Sequence, residues 1–436
     1  MRRHIKSLVA GSLCALMAAS ACAKTEIVWW HSMTGALGDR AAGLADKFNK
    51  SQHAYKITPV FKGSYDEAMT AAIAGYRAGK APNILQVPEV GTAAMLHSKG
   101  AIVPVSKVMQ IAGERFNPAI YVPALAGYYM SPEGAMLSFP FNSSTAVFYY
   151  NKDMFAKAGL DPDKAPVTWP EVLSAAAKLK VSGEECAYTS GWQSWVHLEN
   201  FSAWHNVEFA SGNNGFAGNH SRLKFNSPLH VKHIDTLANW ARQGYFTYAG
   251  PRNEAEAMFY SGECAMLTSS SAAYANIRKN AKFRFGVAAL PYYARVHGAP
   301  QNTIVGGTSL WVMSGKKTVE YKAVARFFKF LSRPDIQAKW HQETGYLPLT
   351  TAAYELTKKS GFYENSPGQE VAVRQMLVRP TPKSRGIRLG NFVRIRAIID
   401  EELELAWSGK KTAKDALDTA VKRGNELLVQ FEKTRK

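Results

Sequence analysis

The chain has 436 residues, 46% of them hydrophobic and 20% charged, with a formal net charge of +19. That length is about three times the commonest domain size, so two lobes are expected, and the apolar fraction excludes a disordered chain. Lys and Arg are scattered in ones and twos beside Asp and Glu, with no basic stripe interleaved with aromatics; this sets nucleic-acid binding aside and leaves a general attraction for anionic solutes.

MRRHIKSLVAGSLCALMAASACA opens the chain with Arg2, Arg3 and Lys6, then an apolar stretch too short to span a bilayer, then the small residues Ala21 and Ala23. Residues 1–23 therefore read as a cleavable secretory signal, with Lys24 starting the mature chain. Cys22 would suit a lipoprotein cut, but Ala19 stands where a Leu is usual, so soluble export is expected. Removing this segment takes away its three cations and leaves a net charge of +16. Of the four cysteines only Cys186 and Cys264 remain. An oxidising compartment permits a bridge between them, and two buried thiols fit equally well.

Strand and helix then alternate. TEIVWW reads as a strand, ALGDRAAGLADKFNK as a helix with Leu37, Ala41, Leu44 and Phe48 on one face, YKITPVF as a strand, and DEAMTAAIAGYRAG as a helix stopped at Gly79. NILQV and TAAMLHSK continue the β-α-β-α-β pattern, which predicts an α/β fold with a largely parallel sheet covered by helices. Loops after the carboxyl ends of such strands form the binding crevice, which puts Tyr65 and Glu89 on the functional edge. In AMLSFPFNSSTAVFYY a break over Pro140 to Ser144 separates two strands and suits a chain crossing between lobes. VTWPEVLSAAAKLK starts with Thr168 and Glu171 at capping-box spacing, with Pro170 in the first turn. GECAMLTSSSAAYANI places Ser269 to Ser271 at a strand-to-helix junction, and IVGGTSLWVM sets Gly306 and Gly307 against a strand. VEYKAVARFFKFLSRPDIQAKWHQETGYLP gives two helices before Tyr346, and helices fill the rest from IRAIIDEELELAWSG onward. No later segment is apolar for some twenty residues, so no membrane span is expected.

The usual signatures of metal hydrolysis, P-loop and nucleophile-elbow chemistry are missing: HExxH, paired CxxC, GxxxxGK[ST], GxSxG and GxGxxG do not occur. Eleven histidines leave room for a Ser/His/Asp set assembled in space, since triads need no fixed spacing. What recurs at strand ends is neutral: Ser143, Ser144, Ser269 to Ser271, Gly306, Gly307, Tyr65 and Tyr346. Each alone is a turn. Together they supply hydroxyls and unobstructed N–H groups suited to a small oxyanion that is held and then released. RLGNFVRIR offers Arg388, Arg394 and Arg396 for a two-pronged bond to phosphate. Trp192 and Trp195, in GWQSWVHLENFSAW, serve either as core or as an apolar wall for a ligand's carbon skeleton.

PFNSSTAVFYYNKDMFAKAGL, followed by IQAKWHQETGYLP, resembles an extracellular solute-binding protein of an ABC importer. More narrowly, WWHSMTGALGD, QVPEVGTA, SGWQSWVHLENFSAWHN, NNGFAG, GGTSLWVM and RLGNFVRIRAIIDEELE resemble the branch of that family that takes sn-glycerol 3-phosphate, through essentially all of the mature chain. The resemblance implies a two-lobed type II periplasmic-binding-protein fold, each lobe a sheet flanked by helices, with the ligand in the interlobe cleft. The implied limits are 24–138 and 286–340 for the first lobe and 139–285 and 341–436 for the second, with crossings near 138 to 145 and beyond 285. The resemblance implies a periplasmic, monomeric, non-enzymatic binder of a small phosphate ester, without cofactor or metal, whose partners are the importer's membrane permease subunits. Glycerophosphodiesters such as glycerophosphocholine are further candidates for its cargo. The implied contacts are Tyr65, Glu89, Ser144, Trp192, Ser270, Gly307, Tyr346 and Arg396, with Arg394 an alternative to Arg396. Ser144 and a single guanidinium would hold the phosphate, and Glu89, repelled by it, would lie at the glycerol end. A binder of neutral oligosaccharides and a secreted glycerophosphodiester hydrolase are the rival readings.

Overall fold

TEIVWWH and YKITPVF are rich in β-branched and aromatic residues, which suit a pleated strand. They pair in parallel as β1 (Thr25–His31) and β2 (Tyr55–Phe61). In the computed structural model, which describes residues 24–434 apart from 99, 132, 133, 219 and 367, they open the first of two sheets. The proposed signal segment 1–23 lies outside the described residues. β3 (Ile84–Pro88) runs parallel to β1, while β4 (Ile102–Val103) and β5 (Phe139–Ser144) come later in this first half of the chain.

The second sheet is built from β6 (Ala146–Asn151), β7 (Cys186–Ser190), β8 (Phe246–Thr247), β9 (Cys264–Ser270) and β10 (Phe285–Ala288), in the order β10-β6-β9-β7-β8. β11 (Gly306–Met313) then returns to the first sheet, antiparallel to β3, β4 and β5. The first sheet is thus mixed rather than largely parallel, because the strand that closes it arrives from the other lobe. The architecture is the expected two-lobed α/β one.

Two sequence expectations shift. Residues 140–144 form strand, not a break, and β5 pairs into the first sheet, so the crossing falls at Thr145, within the expected 138 to 145, and the lobe limit moves there from 139. Pro140 is tolerated because β5 has β11 as its partner on one side only, and an edge position needs no second N–H bond. A register irregularity between Thr308 and Ser309 absorbs the extra residue Phe141. Elsewhere local chemistry acts as expected. Thr168 and Glu171 form a complete capping box with Pro170 in the first turn, and Gly79 adopts a left-handed φ of +69° after the helix Tyr65–Arg77.

Two main clusters form the core, and the first runs on to Val147, Tyr149 and Leu267 of the second sheet and to Tyr346, Leu347 and Leu349, which the lobe limits had put in the second lobe. Ile27, Trp29, Phe139, Phe327 and Phe328 centre the first, where Phe139 stacks on Phe328 at 4.5 Å. Phe148, Trp169, Val172, Trp240 and Ile399 centre the second. Each such side chain contributes about 2–3 kcal/mol when fully buried. The C-terminal helices Phe392–Trp407 and Ala413–Lys433 pack on the second core through Ile395, Leu403, Leu417 and Leu428. Among the described residues no helix is long and apolar enough to cross a membrane.

Cys186 and Cys264 lie opposite each other on the parallel neighbours β7 and β9 and form a disulfide. Of the two states open to these cysteines, the fold selects the bridge. It closes a loop spanning a sequence separation of 78, which in the chain-entropy account stabilises the fold by about 4 kcal/mol. Reduction, or the double substitution Cys186→Ser and Cys264→Ser, is expected to lower the urea midpoint of the second lobe. An unchanged midpoint in matched oxidised and reduced samples would show that the bridge contributes nothing.

Candidate functional site

The single residue between β5 and β6 fixes the geometry of the cleft. Thr145 receives Ser271 N–H on its carbonyl at 2.8 Å, and its hydroxyl lies 2.6 Å from Thr303 Oγ1 and 3.0 Å from Ile304 O, on the segment leading back to β11. Ser144 stands opposite Gly306, and Ala146 opposite Ser270. The ends of both sheets therefore meet. A cavity of about 410 Å³ opens there, lined from the first sheet by Tyr65, Glu89, Ser144 and Gly307 and from the second by Trp192 and Ser270, with Tyr346 and Arg396 completing the wall. All eight positions named from sequence line this one cavity. Arg394, the alternative to Arg396, is exposed on the same helix and does not line it.

Part of the cavity lining is made of neutral donors. Ser270 accepts Ala272 N–H at 3.1 Å as the cap of a single turn, which leaves its own O–H to donate. Ser144 makes no side-chain hydrogen bond among the described residues. Gly307 has a φ of +90°, and a Cβ there would come within 1.9 Å of Asn142 O, so only glycine allows this close approach. Burial raises the pKa of Tyr65 and of Tyr346, with the charges of Tyr346 and Glu89 adding at Tyr65 and that of Glu256 at Tyr346, while the Asn142 amide beside both opposes the rise. Both phenols stay protonated and able to donate.

Beside these donors lies an ionic set. Arg396, from the helix Phe392–Trp407, donates from Nε to Glu199 Oε1 at 2.8 Å and from Nη2 to Glu199 Oε2 and Glu89 Oε1, each at 2.7 Å. Glu89 belongs to the first lobe, whereas Glu199 and Arg396 belong to the second, so this guanidinium ties the lobes together. Burial works against its charge, but the two carboxylates outweigh that and raise its pKa; burial also raises Glu199 against the pull of Arg396. Glu89 and Arg396, expected at opposite ends of a ligand, are thus bonded to each other. One cation between two carboxylates cannot also be the free positive charge for a phosphate.

Trp192 forms a wall of the cavity in a left-handed backbone conformation, φ +52°, with its N–H on Arg252 O at 2.5 Å. Trp195 lines the cavity beside it, its indole lying where a side chain at Gly306 would be. Sequence reading missed Asp66, Arg252, Asn253 and Glu256 in the lining and Glu199 behind it. Arg252 and Asn253 follow the carboxyl end of β8, and the rule that singled out Tyr65 and Glu89 would have found them there. Among the described residues no group of three His, Cys, Asp or Glu side chains could hold a metal ion. Ser190 and His197 are 2.9 Å apart, but the imidazole is fully buried, does not line the cavity, and is depressed by burial to about 3.

Two substitutions test this electrostatic picture. Arg396→Ala strands Glu89 and Glu199 as buried charges, and breaking such a pair is expected to lower unfolding free energy by about 3–5 kcal/mol in denaturant titrations. Glu256 has no cation partner within salt-bridge distance among the described residues; burial pushes it up to about 7 against bonds from Ser269 and Trp192. The folded state therefore holds a proton that an unfolded glutamate loses near ~4.3, and this group's contribution to stability falls as pH rises from about 4.5 to 7. Glu256→Gln is expected to stabilise the protein by about 3 kcal/mol at pH 8 and by little at pH 4. Equal effects at both pH values would contradict the assignment.

Residues 43–369 match the family described as bacterial extracellular solute-binding protein. The chain is 54% identical over 433 residues to the sn-glycerol-3-phosphate-binding periplasmic protein UgpB of Yersinia enterocolitica, covering 99% of this chain and 98% of that one. It is likewise 54% identical over 424 residues to the protein of that name from Pectobacterium atrosepticum, covering 97% and 95%. Among solved structures, UgpB from Mycobacterium tuberculosis in complex with glycerophosphocholine superposes with a TM-score of 0.76 at 22% identity, over 93% of this chain and 99% of that one. The GacH receptor of Streptomyces glaucescens, solved unliganded and with acarbose, has the same TM-score at 18% identity, over 93% and 98%. At such identities these structures share the fold. The chain belongs to the bacterial extracellular solute-binding protein family.

Proposed function

We propose that the chain is the periplasmic capture component of an ABC importer for sn-glycerol 3-phosphate, with glycerophosphodiesters as further cargo, delivered to the membrane permease. The observation that carries this reading is the convergence of Ser144, Ser270, Gly307, Tyr65 and Tyr346 on one cavity, in a chain 54% identical to proteins named for that ligand. The phosphate sits among the hydroxyls and the glycine N–H. The glycerol hydroxyls meet Glu89 and Arg396, which offer an acceptor and a donor side by side, and the indoles of Trp192 and Trp195 cover the carbon chain.

Ser144 needs no activating base in this role, because a carrier returns its cargo unchanged. The two lobes, hinged at Thr145 and at the return segment before β11, close because the ligand contacts both and so stabilises the shut form. The proposed signal segment would be removed on export, and the mature chain would act as a monomer without cofactor.

Calorimetry on the mature protein tests the reading. sn-Glycerol 3-phosphate is expected to bind at least a hundred-fold more tightly than glycerol, the loss of charge-assisted bonds being on the order of 3 kcal/mol. Maltose is expected to produce no heat. Equal affinity for glycerol, or a preference for maltose, would reject the phosphate site. Steady release of choline from glycerophosphocholine would instead make the protein a hydrolase.

A further inference from the structure

Two guanidinium groups reach the cavity, in opposite condition. Three hydrogen bonds to two carboxylates engage Arg396, and that trio carries a net charge of −1. Arg252, between β8 and the helix Glu254–Tyr260, makes no side-chain hydrogen bond among the described residues. Its nearest carboxylates are Asp66, 3.8 Å away across the cleft, and Asp400, 4.0 Å away on its own lobe. Both distances are ionic contacts beyond hydrogen-bond reach.

The backbone of Arg252 is nevertheless held firmly. Its N–H donates to Glu254 Oε2 at 2.7 Å and its carbonyl accepts from Trp192. The guanidinium carbon lies 5.9 Å from the Trp192 ring centroid and the side chain is 32% exposed. A fixed base with an unengaged planar donor group is what bidentate phosphate recognition requires.

We propose that Arg252 is the charge-selecting residue of the cavity, its free N–H groups meeting the anionic phosphate of the ligand while Asp66 on the opposite lobe holds it in the ligand's absence. The assignment rests on the phosphate-ester reading above. Asp66 is a weak competitor: its side chain is 52% exposed, and pairs of this kind contribute about 0–1 kcal/mol. Asp400, 4.0 Å away, makes no hydrogen bond to the guanidinium either. Hydroxyls donate to a phosphate without neutralising it, whereas a guanidinium adds an opposite charge and a planar two-pronged donor. Arg252 is therefore the cavity cation with capacity to discriminate a dianion from a neutral ligand.

The test is calorimetry of the mature protein with sn-glycerol 3-phosphate at pH 8, beside a monoanionic methyl diester of the same compound, with thermal midpoints recorded for every variant. Arg252→Gln is expected to weaken the dianion at least ten-fold, Arg252→Lys less, and the diester less than the dianion, with midpoints unchanged. Asp66→Asn, which removes the competitor, is expected to tighten binding several-fold. Arg252→Gln within two-fold of wild type, or Asp66→Asn weakening the ligand, overturns the assignment alone. A wild-type protein that ignores sn-glycerol 3-phosphate overturns the phosphate reading and this assignment with it.

Discussion

The arrangement depends on a crossing one residue long. β5 and β6 belong to different sheets, yet only Thr145 separates them, so the ends of both sheets are brought within side-chain reach of each other. Thr145 is itself tied to Ser271 in one direction and to Thr303 and Ile304 in the other. Strand register then does the rest. Because Ser144 faces Gly306 across one ladder and Ala146 faces Ser270 across the other, hydroxyls from separate sheets share one cavity without any loop having to reach for it.

Placement of charge follows from where each group is buried. Ser144, Ser270, Gly307, Tyr65 and Tyr346 line the cavity with uncharged donors, the phenols kept protonated by burial. Beside them Glu89, Glu199 and Arg396 form a closed set of hydrogen bonds, and a buried trio of this kind is weak evidence of net stability although removing one member is costly. A ligand that carries both a phosphate and hydroxyls matches this mixed lining. Neutral donors also keep the bound state from becoming too deep for release, since several fixed cations around a dianion would hold it far more tightly.

Local structure was legible in the sequence wherever one residue type performs one local task. Thr168 with Glu171 announced a helix start, Gly79 a helix stop, and alternating elements the α/β class. The serines, glycines and tyrosines of the cavity were legible as strand-end donors, and the family motifs nominated the same positions. What sequence spacing could not carry is pairing across the fold. Cys186 and Cys264 become neighbours only once β7 is known to lie beside β9. Glu89 and Arg396, 307 positions apart, were assigned opposite ends of a ligand because nothing in the chain order places them in contact. Pro140 argued for a break until β5 proved to be an edge strand, and Arg252 went unnoticed in a short loop with no motif of its own.

Trp192 carries a consequence of a different kind. A bulky L-residue held at φ +52° stores strain of the order of 1–3 kcal/mol, and a glycine or asparagine would rest in that torsion at lower energy. The indole is retained there although the backbone would relax without it. A search for hardier variants of this chain would therefore be drawn to a residue of the cavity wall, and the robustness gained at that dihedral angle would come with a changed cavity surface.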